Sequence, residues 1–144
     1  MHEIIAEKTL SAPLDRVWAL VADFSNLDWY EPAEKVERIA SDRDDGIGEI
    51  RRIHMPNMPD PIDEVLSAID HQQHQLSYRI PQTPMANYEV TISLTKVDAS
   101  NTHAKWHAQF TEVTMDGLTP EMMIGIMQDT YGTMLEHVEK AVAN

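Results

Sequence analysis

The chain has 144 residues, with 24 acidic and 11 basic side chains, a formal net charge of −13 and no cysteine. That length suits one domain, which buries about 70% of its unfolded surface and needs no metal or disulfide to stay folded. So acidic a surface repels phosphate backbones and anionic lipid, which argues against nucleic-acid and membrane partners; the missing thiols exclude disulfides, thiolate catalysis and cysteine zinc sites.

Glu3 to Leu10 alternates and reads as a strand. The start shows no basic segment followed by an apolar run, and no stretch approaches the ~20 apolar residues of a membrane span, so a cytoplasmic protein is expected. Ser11-Ala12-Pro13 opens a helix to about Asp23, with Val17, Trp18, Leu20 and Val21 on one face. Ser25 to Glu31 reads as a second short helix or turn, ending before Pro32. Strands follow at Lys35–Ala40 and Glu49–Met55, around a turn at 41–46. Met55-Pro56-Asn57-Met58-Pro59-Asp60-Pro61 is a loop, because three prolines allow no ladder there. Asp63–Ile69 and Gln75–Ile80 are strands flanking a turn at 70–74, and a loop opens at Pro81. Tyr88–Val97 and Thr102–Val113 complete the meander. Thr119 caps a last helix with Pro120 at its first position; it runs to about Ala143, about 36 Å at 1.5 Å per residue. Met123, Met127, Tyr131, Leu135, Val138 and Val142 form its apolar stripe. Gly125 and Gly132 weaken it by about 1 kcal/mol each and either leave room beside the sheet or allow close packing.

Short turns between consecutive strands imply antiparallel pairing, and the concave face of so large a sheet needs a cover that only the last helix is long enough to give. The expected class is α+β. Period-two alternation puts Leu76, Tyr78 and Ile80, then Tyr88, Val90, Ile92 and Leu94, then Ala104, Trp106, Ala108 and Phe110 on the covered face. Ile62, Glu64, Leu66 and Ala68 share a face in the fourth strand, opposite Val65 and Ile69. The third strand is ambiguous: Arg51, Ile53 and Met55 against Ile50, Arg52 and His54. Hydroxyls and a carboxylate aimed inward need partners, or cost roughly 1–3 kcal/mol each. A ligand or water in a cavity supplies them; a plain core with Glu64 as a rim carboxylate paired to an arginine is the competing reading.

No nucleotide-binding glycine fingerprint and no nucleophile elbow is present. Asp42-Arg43-Asp44-Asp45-Gly46 lacks the spacing of a calcium loop. His71 and His74 lack an evident third ligand, and His103 and His107 lie about 13 Å apart on one strand, too far to share an ion. No metal and no cofactor is expected.

Ala12-Pro13 with Val17-Trp18, Asp28-Trp29, Gly48-Glu49-Ile50-Arg51, Glu64-Val65-Leu66 with Asp70, Tyr78, Asn87-Tyr88, and Trp106 with Phe110 occur in an order that resembles the START-related helix-grip superfamily, SRPBCC or birch-pollen-allergen-like, and in it the polyketide cyclase/dehydrase branch. The resemblance spans nearly the whole chain. It implies a helix-grip fold over residues 1–144: seven curved antiparallel strands around the C-terminal helix, two short helices after strand 1, and a deep apolar cavity with loops 55–61 and 81–87 at its mouth. By position it places Arg51, Glu64, Tyr78, Tyr88 and Trp106 at the cavity wall, which favours the Arg51 face of the third strand.

The expected ligand-binding set is Arg51, Ile53, Met55, Glu64, Tyr78, Ile80, Tyr88, Val90, Trp106, Ala108, Phe110, Met123, Met127 and Tyr131. The expected function is binding of a small hydrophobic molecule: a lipid, polyketide or aromatic metabolite. The first alternative is a cyclase or dehydratase in which Glu64, Tyr78 and Tyr88, with His54 or Tyr30 beside them, move a proton and steady an enolate. A protein-interaction module is the second, disfavoured by outward-facing Glu89, Thr91, Lys105 and His107. A homodimer stays open.

Overall fold

The computed structural model describes residues 1–143. In chain order these form β1 (His2–Leu10), α1 (Leu14–Ala22), β2 (Lys35–Ile39), β3 (Ile50–His54), β4 (Ile62–Asp70), β5 (Gln75–Arg79), β6 (Met85–Ala86), β7 (Glu89–Asp98), β8 (Asn101–Phe110), β9 (Glu112–Val113) and α2 (Pro120–Val142). Seven strands make one antiparallel sheet in the order β1-β8-β7-β5-β4-β3-β2, and β6 pairs with β9 in a two-stranded sheet beside it. The helix-grip architecture is therefore present: a curved sheet, one short helix and a long C-terminal helix.

Alternation sets the faces as the sequence predicts. β8 shows a strict half-buried, buried repeat over ten residues, with Thr102, Ala104, Trp106, Ala108 and Phe110 inside. It pairs along its length with β1, from His2 opposite Phe110 to Leu10 opposite Thr102. α2 packs against β1 and α1. Thr119 accepts a hydrogen bond from the Met122 amide at its start, and the Arg16 guanidinium donates to the Val142 carbonyl at its end, 3.0 Å away.

The structure corrects the reading in several places. Of the two readings for 25–31, helix or turn, the turn holds: residues 23–30 make successive turns, Asn26 N to Asp23 O and Tyr30 N to Leu27 O, while Asn26 Oδ1 accepts from the Asp28 amide. The Ser25 hydroxyl donates to Glu49. In β4 the register shifts between Leu66 and Ala68, so Ile69 faces Leu76 and Ala68 faces Ser77. A bulge inverts the alternation beyond it, which is why the strand read poorly as a single repeat. The last predicted strand is interrupted at Thr111, and its tail returns as β9 to pair with a segment read only as loop. On α2, Met134 joins the buried stripe and Met127 is only half-buried.

Gly125 and Gly132 neither pack closely nor open onto a neighbour: a Cβ built at either meets nothing within 4 Å. Their cost to the helix is thus unopposed by packing. Gly125→Ala and Gly132→Ala should each stabilise the fold by up to about 1 kcal/mol, read as a higher urea midpoint at constant slope.

Candidate functional site

Arg51 on β3 and Glu64 on β4 are cross-strand partners on the concave face. Arg51 Nε donates to Glu64 Oε1 at 2.6 Å, and the residues are 3% and 7% exposed. Arg51 Nη1 donates to the Phe24 carbonyl at 2.8 Å. The guanidinium also lies over two rings, 4.2 Å from the centroid of Phe24 and 4.8 Å from that of Tyr78. A buried ion pair is sustained only by such close geometry and added hydrogen bonds, since each charge loses its water. Glu64 is paired with an arginine, but in the interior and not at the rim.

The neighbouring phenols feel this pair. Burial pushes the Tyr78 hydroxyl well above the usual phenol range and the Glu64 charge adds to it, while Arg51 and the Trp106 N–H pull it partly back. Burial likewise raises Tyr131, with contributions from Tyr78 and Glu64. Half-buried Tyr30 is raised by burial and then by Glu64. Three phenols from the turn segment, β5 and α2 are therefore gathered within electrostatic reach of one carboxylate, and all stay protonated at neutral pH.

Two donors on this face are left over. Arg51 Nη2 and Trp106 Nε1 are buried and fall short of hydrogen-bond geometry with any acceptor; the group they approach is the Tyr78 hydroxyl, whose pKa both side chains pull down. Unpaired buried donors cost about 1–3 kcal/mol each and call for an explanation.

The other predicted residues sort by depth. Ile53, Val90, Ala108, Phe110, Met123 and Tyr131 are buried; Met55, Ile80 and Met127 are half-buried. Tyr88 sits just before β7, and its hydroxyl is hydrogen-bonded to that of Tyr131 across the interior. His54 points outward and pairs with Glu37 at 3.3 Å. His71 accepts from the Trp18 indole N–H at 3.2 Å, and no group of three metal-ligating side chains assembles among the described residues. Phe24 was missed because its carbonyl and its ring both meet Arg51 only through tertiary placement. Met134 lay within reach, three positions after Tyr131 on the same face.

Several clefts open on the surface. One of about 320 Å³ is lined by Ile80, Pro81, Thr83, Met85, Tyr88 and neighbours, and one of about 150 Å³ by Met1, Arg79, Asn87, Tyr88, Glu89 and Gln109. A third, about 410 Å³, lies between Trp29 and His137. None of these is lined by Arg51, Glu64, Tyr78, Trp106 or Tyr131. The expected open hollow is not among these clefts: the inward residues Tyr78, Val90, Trp106, Ala108 and Phe110 are buried together in one packed core cluster.

Comparison with solved structures agrees with the architecture. The chain is similar to the protein XoxI from Bacillus cereus, with a TM-score of 0.82 at 21% identity over 100% of this chain and 97% of that one. It is similar to the Zhui aromatase/cyclase from a Streptomyces species, with a TM-score of 0.76 at 21% identity over 99% and 93%. Norcoclaurine synthase from Thalictrum flavum, solved with dopamine and hydroxybenzaldehyde, superposes with a TM-score of 0.74 at 18% identity over 99% and 86%. At these identities the likeness shows the fold. No curated protein matches the sequence. Residues 1–143 match the family described as polyketide cyclase / dehydrase and lipid transport, and the chain belongs to that family.

Proposed function

We propose that the chain binds a small, largely apolar molecule between its concave sheet and α2, and that Arg51 Nη2 and Trp106 Nε1 orient it. The observation that carries this reading is the pair of orphaned buried donors. They sit on rigid strands, beside an ion pair already complete in charge, and an acceptor oxygen on a ligand would satisfy both. The apolar remainder would lie against Val90, Ala108, Phe110 and Met123, all buried on the surfaces facing each other. Removing such surface from water contributes about 25 cal/mol per Å². Because Arg51 and Glu64 sum to zero charge, a neutral oxygen suits the site better than a second buried anion. The family description, with cyclase and lipid transport side by side, supports a small-molecule role.

A second reading keeps the same site and adds turnover. It is favoured by the three phenols held around Glu64, a set that could hand a proton to or from a bound carbonyl compound. The kinship with the aromatase/cyclase fold points the same way. Under this reading Tyr78→Phe keeps binding and loses product formation.

Trp106→Phe deletes one orphaned donor and keeps an aromatic ring. It should weaken binding of a co-purifying ligand, identified by native mass spectrometry, by about tenfold. The indole N–H resonance of Trp106 in the parent protein should shift when that ligand is added; a resonance that stays put at saturation would sink the donor assignment.

Glu64→Gln, alone, strips Arg51 of its counter-charge and should cost about 3–5 kcal/mol of stability. The paired change Arg51→Met with Glu64→Leu removes both charges and should recover most of that loss in urea unfolding, yet bind no ligand. A double variant that still binds at full strength would remove Arg51 from the site.

A further inference from the structure

The chain contains two Asp-Gly steps, Asp45-Gly46 and Asp116-Gly117. Glycine is the least hindered neighbour an aspartyl carboxyl can have, because no side chain shields its amide nitrogen. Such a step can close on itself. The glycine nitrogen gives up its proton and attacks the protonated carboxyl at Cγ; the N–Cγ bond forms, the Cγ–OH bond breaks, and one water departs to leave a five-membered succinimide. Water then opens the ring. Opening at Cγ restores aspartate, whereas opening at the main-chain carbonyl routes the backbone through Cβ and leaves isoaspartate. Oxidation states do not change, and water is the one co-reactant.

The fold treats the two steps differently. At Asp45-Gly46 both reacting groups are engaged. Asp45 Oδ1 accepts from Arg43 Nε and from the Ile47 amide, each at 3.0 Å, and Oδ2 accepts from Arg43 Nη2 at 2.6 Å. The Arg43 contact, with the Ile47 amide after it, holds the Asp45 carboxyl below the usual carboxylate range, and the ionised form is a poor electrophile. The Gly46 amide donates to the Arg43 carbonyl at 3.1 Å. At Asp116-Gly117 both groups are free. Both residues are exposed, and Asp116 lines an open cleft of about 570 Å³ with Thr83, Pro84 and Met115. Among the described residues, neither the Asp116 carboxylate nor the Gly117 amide has a hydrogen-bond partner. The turn around them is closed by one bond, Leu118 N to Met115 O at 3.3 Å. Gly117 takes φ +87°, a conformation that glycine alone adopts freely, so the turn itself demands the reactive neighbour. We infer that Asp116 is a site of spontaneous isoaspartate formation in the folded protein, and that Asp45 is protected from it. An altered backbone has consequences at this place. Thr119 caps α2 through the Met122 amide at 3.2 Å, and on the other side Thr114 N donates to Pro84 O at 2.7 Å. An extra methylene in the main chain between these two anchors should slacken the first turn of α2.

The experiment incubates the whole chain in neutral buffer at physiological temperature, folded and, in parallel, unfolded in urea. Isoaspartyl groups are then labelled with an isoaspartyl methyltransferase and isotopic S-adenosylmethionine, and located by peptide mass spectrometry. In the folded protein, label at residues 116–117 should exceed label at 45–46 by about tenfold or more, the scale of one hydrogen bond to a charged group. In urea the two should become alike. Asp116→Glu, whose longer side chain cannot form the five-membered ring, should remove the first signal, and Arg43→Ala should raise the second. In the isomerised fraction the Met122 and Met123 amides should exchange hydrogen several-fold faster; parental exchange there would overturn the link to α2. Equal labelling of the two steps in the folded protein would overturn the assignment, because the fold would then not discriminate between them. A preference for Asp116 that persists unchanged in urea would overturn it too, because flanking sequence alone would then account for the difference.

Discussion

The Arg51–Glu64 pair sets the terms for the rest of the molecule. Two charges taken out of water on adjacent strands require those strands to meet in one register, because a slip of one residue would turn either side chain to the opposite face. The register is reinforced next to the pair, where Gly48 N donates to Leu66 O and Leu66 N to Glu49 O. Gly48 adopts φ +99°, and a Cβ there would press on the Ser41 hydroxyl at 3.2 Å, so this approach to β4 depends on glycine. The pair also explains the turn segment after α1. The Phe24 carbonyl is committed to Arg51 and the Ser25 hydroxyl to Glu49, so neither is available to a second helix. What looked like a helix start is an anchor between α1 and the sheet.

Charge is distributed accordingly. Outside the core, several basic groups are matched to nearby acids: Lys8 with Glu139, Arg52 with Asp63, Arg79 with Glu89. Exposed pairs of this kind add little stability, and the excess of carboxylates leaves the surface strongly negative. Inside, one cation meets one anion and the phenols stay neutral, held there by burial and by Glu64. The interior is polar in places yet balanced: three buried donors, Trp29 Nε1, Arg51 Nη2 and Trp106 Nε1, fall outside hydrogen-bond geometry, the last two beside the Tyr78 hydroxyl.

Much of this was legible in the sequence because alternation is a strong signal when one face is buried. In β8 Ala104, Trp106, Ala108 and Phe110 face inward as alternation put them, with Thr102 added at the start, and Tyr78 and Val90 fell where period two placed them. β3 was ambiguous because arginines at 51 and 52 and isoleucines at 50 and 53 make either face plausible; only the family resemblance favoured Arg51 inward. β4 failed beyond Leu66 for a different reason: a bulge changes the phase of the repeat, and no residue type announces it. The two-stranded β6–β9 pairing is too short to leave a pattern. The site was legible as a list of side chains but not as a network: the carbonyl under Arg51 and the hydroxyl contact of Tyr88 with Tyr131 depend on tertiary placement.

The two walls of the interior are built for different tasks. On the sheet, Arg51, Glu64, Tyr78 and Trp106 stand on paired strands, and their mutual contacts leave little freedom of rotamer. On the helix, Met123 and Met134 are buried and Met127 half-buried; methionine is flexible and adapts to irregular shapes. On the proposed binding reading, the sheet would fix where a ligand oxygen goes and α2 would adapt to its carbon skeleton.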